Sequence, residues 1–407
     1  MDGTALPRLR AEVPGPASRA WVDRLAAREC PAVTARRARR AAALGAADTD
    51  PIVWVEAVGA NVRDADGNVF VDLCGGFGVA TVGHRHPAVV AAATAQAGAL
   101  VHAMGDAFPD TRRIELMERL CAITGMDRVI LGTSGSDAVE AAIKTAWLAT
   151  GRRRVLAFEG GYHGLASAPL AAIGYHRDDF RGPFAGMLGQ HVDVAPFGTV
   201  PDLRGYAAVL VEPIQGRGGM RPVDLAPIHA AARAAGALVI HDEIYSGVGR
   251  TGAWLATDLK PDVLCLGKAL GGGFPISACL GTAAVMDAWG ASKGEAIHTQ
   301  TFLGHPVGCA AALAVLDVVP ALMPRAAVLE RLLGPATGKG AMLGVPVPNA
   351  LAVSRRLLAK GWIVLPCGER GEALGLTPPL TMTDEQAEGF VAALRESVDG
   401  AGETPAP

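Results

Sequence analysis

Two short apolar runs each end on a charged side chain: Ala237-Leu-Val-Ile-His closes on Asp242, and Val263-Leu-Cys-Leu-Gly closes on Lys268. Runs this short and apolar fit strands buried on both faces, as parallel sheets require. Each charge then stands where its strand leaves the sheet, the edge at which open α/β sheets bind ligands. Lys268 is followed by Ala-Leu-Gly-Gly-Gly, which offers it little packing role.

The same pattern recurs between about 86 and 290. Strands are expected near 128–132, 154–158, 208–212, 237–241, 262–266 and 278–282. Helices are expected near 87–103, 111–124, 136–150 and 226–236. This alternation predicts an α/β fold with a large, doubly wound, mainly parallel sheet. Residues 52–73 read as a hairpin or meander turning at Asp66-Gly67. Residues 305–333 read as a long helical connection, and 341–398 as a small α+β unit with strands at Ala341–Val345 and Trp362–Leu365. Residues 1–50 are Ala- and Arg-rich and partly helical by pattern, and Gly402 to Pro407 read as a disordered tail. The expected division is 1–88 and 306–407 for a smaller domain built from both chain ends, with 89–305 as the large domain. At 407 residues the chain is long for a single core.

Charge excludes some partners. With 37 basic against 40 acidic residues, the net charge of −3 supplies no field for nucleic acid. No apolar stretch reaches the ~18 residues a membrane span needs, and the start lacks the apolar core of a secretory signal. The seven cysteines are scattered without a CxxC pair, which fits reduced thiols in the cytoplasm and no metal site.

Further stations lie at expected strand ends. Thr133-Ser134-Gly135-Ser136-Asp137 opens a helix, and reads either as a plain N-cap or as an anion site of free N–H groups and hydroxyls. Tyr162, between glycines in Glu-Gly-Gly-Tyr-His-Gly, suits stacking on a flat ring or closing a loop. His163 fits either the surroundings of such a ring or a structural hydrogen bond. Glu212 ends another buried run and must be paired or face a cavity. Together these stations suit pyridoxal phosphate. It needs a lysine for an imine (Lys268), a carboxylate at its ring nitrogen (Asp242), a ring-stacking aromatic (Tyr162) and a phosphate cradle (Ser134, Gly135, Ser136).

At these residues the chain resembles the class III (ornithine/GABA-type) aminotransferases of PLP fold type I, from about Val53 to Leu394. The resemblance is carried by Gly83-His84-Arg85-His86-Pro87, Tyr162-His163-Gly164, Glu212-Pro213-Ile214-Gln215-Gly216, Asp242-Glu243-Ile244, Gly249-Arg250-Thr251-Gly252 and Gly267-Lys268-Ala269-Leu270-Gly271. It implies a transaminase in which Lys268, Asp242 and Tyr162 do the chemistry, with His163 and Tyr245 also beside the cofactor. It implies a homodimer in which Thr301, in Thr299-Gln-Thr-Phe, reaches the phosphate of the second copy. The small-molecule partners are then an amino donor and a keto acid acceptor.

Asp137 stands in place of the family's usual glutamate, and the chain departs from that family in four further places. Tyr245 replaces a glutamine or valine. Glu212 loses its usual arginine partner and is left to meet a substrate cation or hydroxyl, or to pair with Arg217. The stretch near 316–345 is short. Gly375 stands where many relatives carry an arginine that pairs an α-carboxylate, which favours an amine, amino sugar or ω-amino acid as donor. Phe77, Glu212 and Arg217 are the candidate substrate contacts, with Arg217 as a replacement anion anchor. The alternative is an isomerase on the same fold, a racemase, epimerase or aminomutase, which would need no keto acid. The presence of both Lys268 and Asp242 argues against a non-catalytic binding protein.

Overall fold

The computed structural model describes residues 1–30 and 51–399. Much of the Ala- and Arg-rich stretch and the expected C-terminal tail lie outside the described residues; within the first, Pro16–Ala26 is helical.

The large sheet has seven strands: β1 (Arg128–Gly132), β2 (Arg154–Phe158), β3 (Val192–Ala195), β4 (Tyr206–Val211), β5 (Leu238–Asp242), β6 (Val263–Leu266) and β7 (Ser277–Gly281). Their spatial order is β1-β7-β6-β5-β4-β2-β3. All are parallel except β7, which runs against both β1 and β6. β4, β6 and β7 are buried at every position because helices cover both faces. Six of these strands match expectation within two residues. The edge strand β3 was missed: Val-Asp-Val-Ala alternates over only four residues and is half-exposed.

Helix α1 (Gly135–Thr150) shows why the sequence folds this way beside the site. Ser134 caps it in extended backbone and accepts from the Asp137 N–H, while Asp137 reaches back to the Ser134 N–H at 2.9 Å. Asp137 therefore performs the reciprocal capping that a glutamate gives at this position. Gly151 ends the helix in the left-handed region at φ 66°. Between them, Ala138, Val139, Ala142, Ile143 and Ala146 pack on the sheet.

The chain ends build two smaller sheets. Trp54–Val58, Asn61–Asp64 and Val69–Asp72 form the expected meander, and Trp362–Ile363 adds in parallel to Val69–Asp72. The second sheet runs Thr337–Lys339, Met342–Pro346, Ala373–Leu376, Leu365–Cys367. The expected single strand at 362–365 thus splits at Val364 between two sheets. The helical connection is two helices, Pro306–Leu322 and Pro324–Leu333, bent by 62° ahead of Pro324, whose ring cannot continue the first helix. Among the described residues no single helix is long and apolar enough to cross a membrane.

Arg250 pins these parts together. Its side chain has no exposed surface. It donates to the carbonyls of Ala341, Pro378 and Gly78 and to Thr81 Oγ1 at 2.7 Å. Burial lowers its pKa to about 10, so it remains a cation at neutral pH. Arg250→Ala strands these acceptors in the core, with an expected loss of ~3–5 kcal/mol in urea unfolding. A loss below ~1 kcal/mol would mean that water or other donors replace the guanidinium.

Candidate active site

The carboxyl ends of β1, β2, β4, β5 and β6 deliver Ser134, Tyr162, Glu212, Asp242 and Lys268 to one side of the sheet. Tyr162, Glu212 and Lys268 line one cavity of about 150 Å³, with Phe77, Arg217 and Tyr245. Cys74 enters from the N-terminal segment, Met220 from the loop after β4, and Leu365, Pro366, Cys367 and Gly375 from the C-terminal sheet. None of those latter residues except Gly375 stood out in the sequence. Each is made a wall residue by contacts between distant segments, which no local pattern encodes.

Asp242 is 4% exposed and lies 2.7 Å from His163 Nδ1, while its other oxygen accepts from the Ile244 N–H at 3.1 Å. His163 is itself buried. Burial alone would lower its pKa, but the hydrogen bond to Asp242 and the charges of Asp242 and Glu212 outweigh that and raise it. Glu212 accepts from the backbone N–H groups of Tyr162 (3.0 Å) and Gly216 (3.2 Å), so both its oxygens are committed. Burial raises its pKa to about 7; Asp242 adds to this, while His163 and the two N–H donors oppose it.

Lys268 follows Gly267 at φ 37°, a left-handed backbone that turns its side chain back into the cavity after β6. Its Nζ sits 4.4 Å from the centre of the Tyr245 ring. Desolvation lowers its pKa and the Arg217 charge adds to this, against Asp242 and Glu212. A lysine in this setting exchanges protons more readily than one in water. Tyr245 occupies a slot between Gly78 and Gly216: a Cβ on either glycine would come within 2.3 or 2.2 Å of its ring. Its hydroxyl lies 3.3 Å from Thr377 Oγ1, and burial pushes its pKa up to about 12.

The α1 N-terminus offers donors to an anion. The first-turn N–H groups of a helix have no partners within it. Gly135 is small by necessity, since a Cβ there would lie 2.8 Å from the Ile244 side chain. The Ser136 hydroxyl accepts from the Ala166 N–H at 2.9 Å, which leaves its hydrogen for a ligand oxygen. These donors fit a phosphate, and the buried Asp242 beyond them fits a protonated ring nitrogen. The residues present therefore suit pyridoxal phosphate. Tyr162 meets Phe180 edge-on at 6.1 Å. Thr301 is exposed and does not enter the cavity of its own chain.

Arg217 is held by aromatic faces. Its guanidinium carbon is 5.0 Å from the Tyr162 ring centre and 5.9 Å from those of Phe77 and Tyr175. Tyr175 was not anticipated from the sequence. Phe77 adopts φ 64° within Gly75-Gly-Phe-Gly and stays 51% exposed at the cavity mouth.

The family model described as aminotransferase class-III matches residues 44–200 and 202–398. The chain is 38% identical to an acetylornithine aminotransferase of Mycolicibacterium smegmatis over 384 residues, covering 87% of this chain and 95% of that protein. It is 34% identical to an acetylornithine aminotransferase of Methanosarcina acetivorans, covering 85% and 92%. Among solved structures, the ornithine aminotransferase of Toxoplasma gondii superposes with a TM-score of 0.80 at 29% identity, covering 88% of this chain and 92% of that one. An amine transaminase from an uncultivated Pseudomonas species, in PLP-bound form, superposes with a TM-score of 0.78 at 28% identity, covering 88% and 97%.

Proposed function

The chain belongs to the class III aminotransferases, and on that premise we propose that it moves an amino group from an amine, amino sugar or ω-amino acid to a keto acid or aldehyde. Gly375 carries the donor assignment. It stands on the cavity wall with no side chain, at the position where the family resemblance implies an arginine that pairs an α-carboxylate. An α-amino acid would find no bidentate partner on that wall.

Ser134, Gly135 and Ser136 would hold the cofactor phosphate, Tyr162 and Tyr245 would flank the ring, and Asp242, backed by His163, would hold the ring nitrogen. When bound, pyridoxal phosphate supplies an electron sink beside the carbon that loses its proton. Lys268 Nζ takes that proton as a neutral amine and gives one back as an ammonium. Glu212, with both oxygens on backbone N–H groups, fixes the loop of Tyr162 against that of Gly216. Donor and acceptor use the cavity in turn.

The working unit in this reading is a homodimer of cytoplasmic chains, with the cofactor carried by residues 89–305. Thr301 would complete the phosphate site of a second copy. Its surroundings support this: Ile297 and Phe302 are 72% and 55% exposed beside it, an unfavourable arrangement for a free surface. All seven cysteines are free, as a reducing compartment allows.

The test is a single turnover of the holoenzyme with a donor and no keto acid. The cofactor's visible absorbance is expected to convert stoichiometrically to the near-ultraviolet of its amino form, and to return on adding a keto acid. Continuous product formation with the visible band retained would overturn this reading in favour of isomerisation.

A further inference from the structure

Arg217 belongs to the cavity wall. Among the described residues no carboxylate lies within ion-pairing distance of its guanidinium, although Glu212 is only five positions away in the chain. Glu212 is committed to two backbone N–H groups instead. The three rings around Arg217 receive its charge on their faces. A guanidinium carries five N–H donors in a rigid fork, and here they remain available to whatever enters the cavity.

Its mounting is firm. The Arg217 carbonyl accepts from the Gly368 N–H at 2.8 Å, and the Gly219 carbonyl accepts from Thr337 Oγ1 at 3.1 Å. Gly216, just before it, abuts the Tyr245 ring, over which Lys268 Nζ lies. The same loop also fills the space opposite. A Cβ on Gly375 would come 3.0 Å from Met220 Cε and 3.4 Å from Cys367. The loop that brings Arg217 into the cavity therefore also occupies, with Met220, the room into which a side chain at 375 would grow.

We infer that Arg217 is the carboxylate-binding, specificity-determining residue of this cavity, and that it takes the acid group at the far end of the donor while the amine meets Lys268. The inference rests on the aminotransferase reading and narrows its donors to ω-amino acids, ahead of plain amines and amino sugars. Because no carboxylate among the described residues must be displaced from Arg217, the anchor is ready before substrate arrives, and the cost of binding is lower than for a gated ion pair.

The experiment compares half reactions of the holoenzyme with 4-aminobutyrate, 5-aminopentanoate and n-pentylamine, in wild type, Arg217→Gln and Arg217→Lys. Wild type is expected to favour at least one of the acids over pentylamine by about 100-fold in kcat/KM. Arg217→Gln is expected to erase that preference, read as the ratio of the acids to pentylamine within the same variant. Arg217→Lys, which keeps the charge without the fork, should fall between. Calorimetry with pentanoate, which has no amine to react, should show binding to wild type that Arg217→Gln loses. If Arg217→Gln fails to hold cofactor, Arg217→Lys decides: a loss of about 10-fold or more on the acids alone supports the anchor, and no loss overturns it. Preference for acids retained in Arg217→Gln, or absent from wild type, also overturns it while leaving transamination intact. Failure of the aminotransferase reading looks different: no donor, charged or neutral, would convert the wild-type cofactor.

Discussion

Lys268→Ala is expected to lower turnover by at least ~10⁴-fold without unfolding the protein. The size of the effect follows from what else the cavity offers as a base. Glu212 has both oxygens on backbone N–H groups, and Asp242 is bound to His163 and to the Ile244 N–H. The Tyr245 phenol, pushed up to about 12, does not ionise at neutral pH, and Arg217 has no lone pair to give. None of these groups is an amine, so none can both form the imine and carry the proton as Lys268 would. The phosphate cradle at the α1 N-terminus and Asp242 are untouched by the change, so cofactor binding should persist without the visible band of the lysine-linked form. Stopped-flow half reactions with saturating donor measure the loss, and added methylamine should restore part of the rate. A loss of less than about tenfold would place the proton-transfer group elsewhere.

Asp242→Asn should cost roughly 10³-fold in kcat, with little change in the donor KM. Asparagine keeps the shape and can still meet His163 at the 2.7 Å separation, but it brings no charge to a site where the carboxylate is 4% exposed. A fixed charge in such a site acts with little screening. The same substitution has a readout that does not depend on turnover. His163 has a raised pKa because its bond to Asp242 and the charges of Asp242 and Glu212 outweigh burial. Without the carboxylate, burial dominates, and NMR titration should find His163 neutral at pH values where it is protonated in wild type. Wild-type kcat together with an unshifted His163 would remove Asp242 from the reaction.

What the sequence made legible follows the range over which each feature is encoded. Buried strands ending on Glu212, Asp242 and Lys268 are local patterns, and the structure has them at the same sheet edge. The cap at Ser134 is local as well. The split of 362–365 is not: Trp362 pairs with Val71 and Leu365 with Gly375, and nothing within four residues distinguishes the two destinations. Of the rings around Arg217, Phe77 and Tyr162 were expected at the site, while Tyr175 was not. Tyr245 was expected beside the cofactor ring; its hydroxyl lies near Thr377 and its ring beside Lys268. What the sequence did not show is the glycine slot that holds it, which depends on Gly78 and Gly216 approaching from opposite sides.

The sheet that joins Val71 to Trp362 also sets an order of events during synthesis. A ribosome delivers Trp54 to Asp72 long before Trp362 exists, so the first meander must wait with the Val69–Asp72 strand edge open. The large sheet, whose strands lie between 128 and 281, can form meanwhile. The cavity cannot, because Cys74 and Phe77 come from the waiting segment and Leu365 to Gly375 from the last part of the chain. Substrate binding is therefore a property that only the finished polypeptide acquires, and a nascent chain stalled before Trp362 is a client for chaperones rather than a slow enzyme.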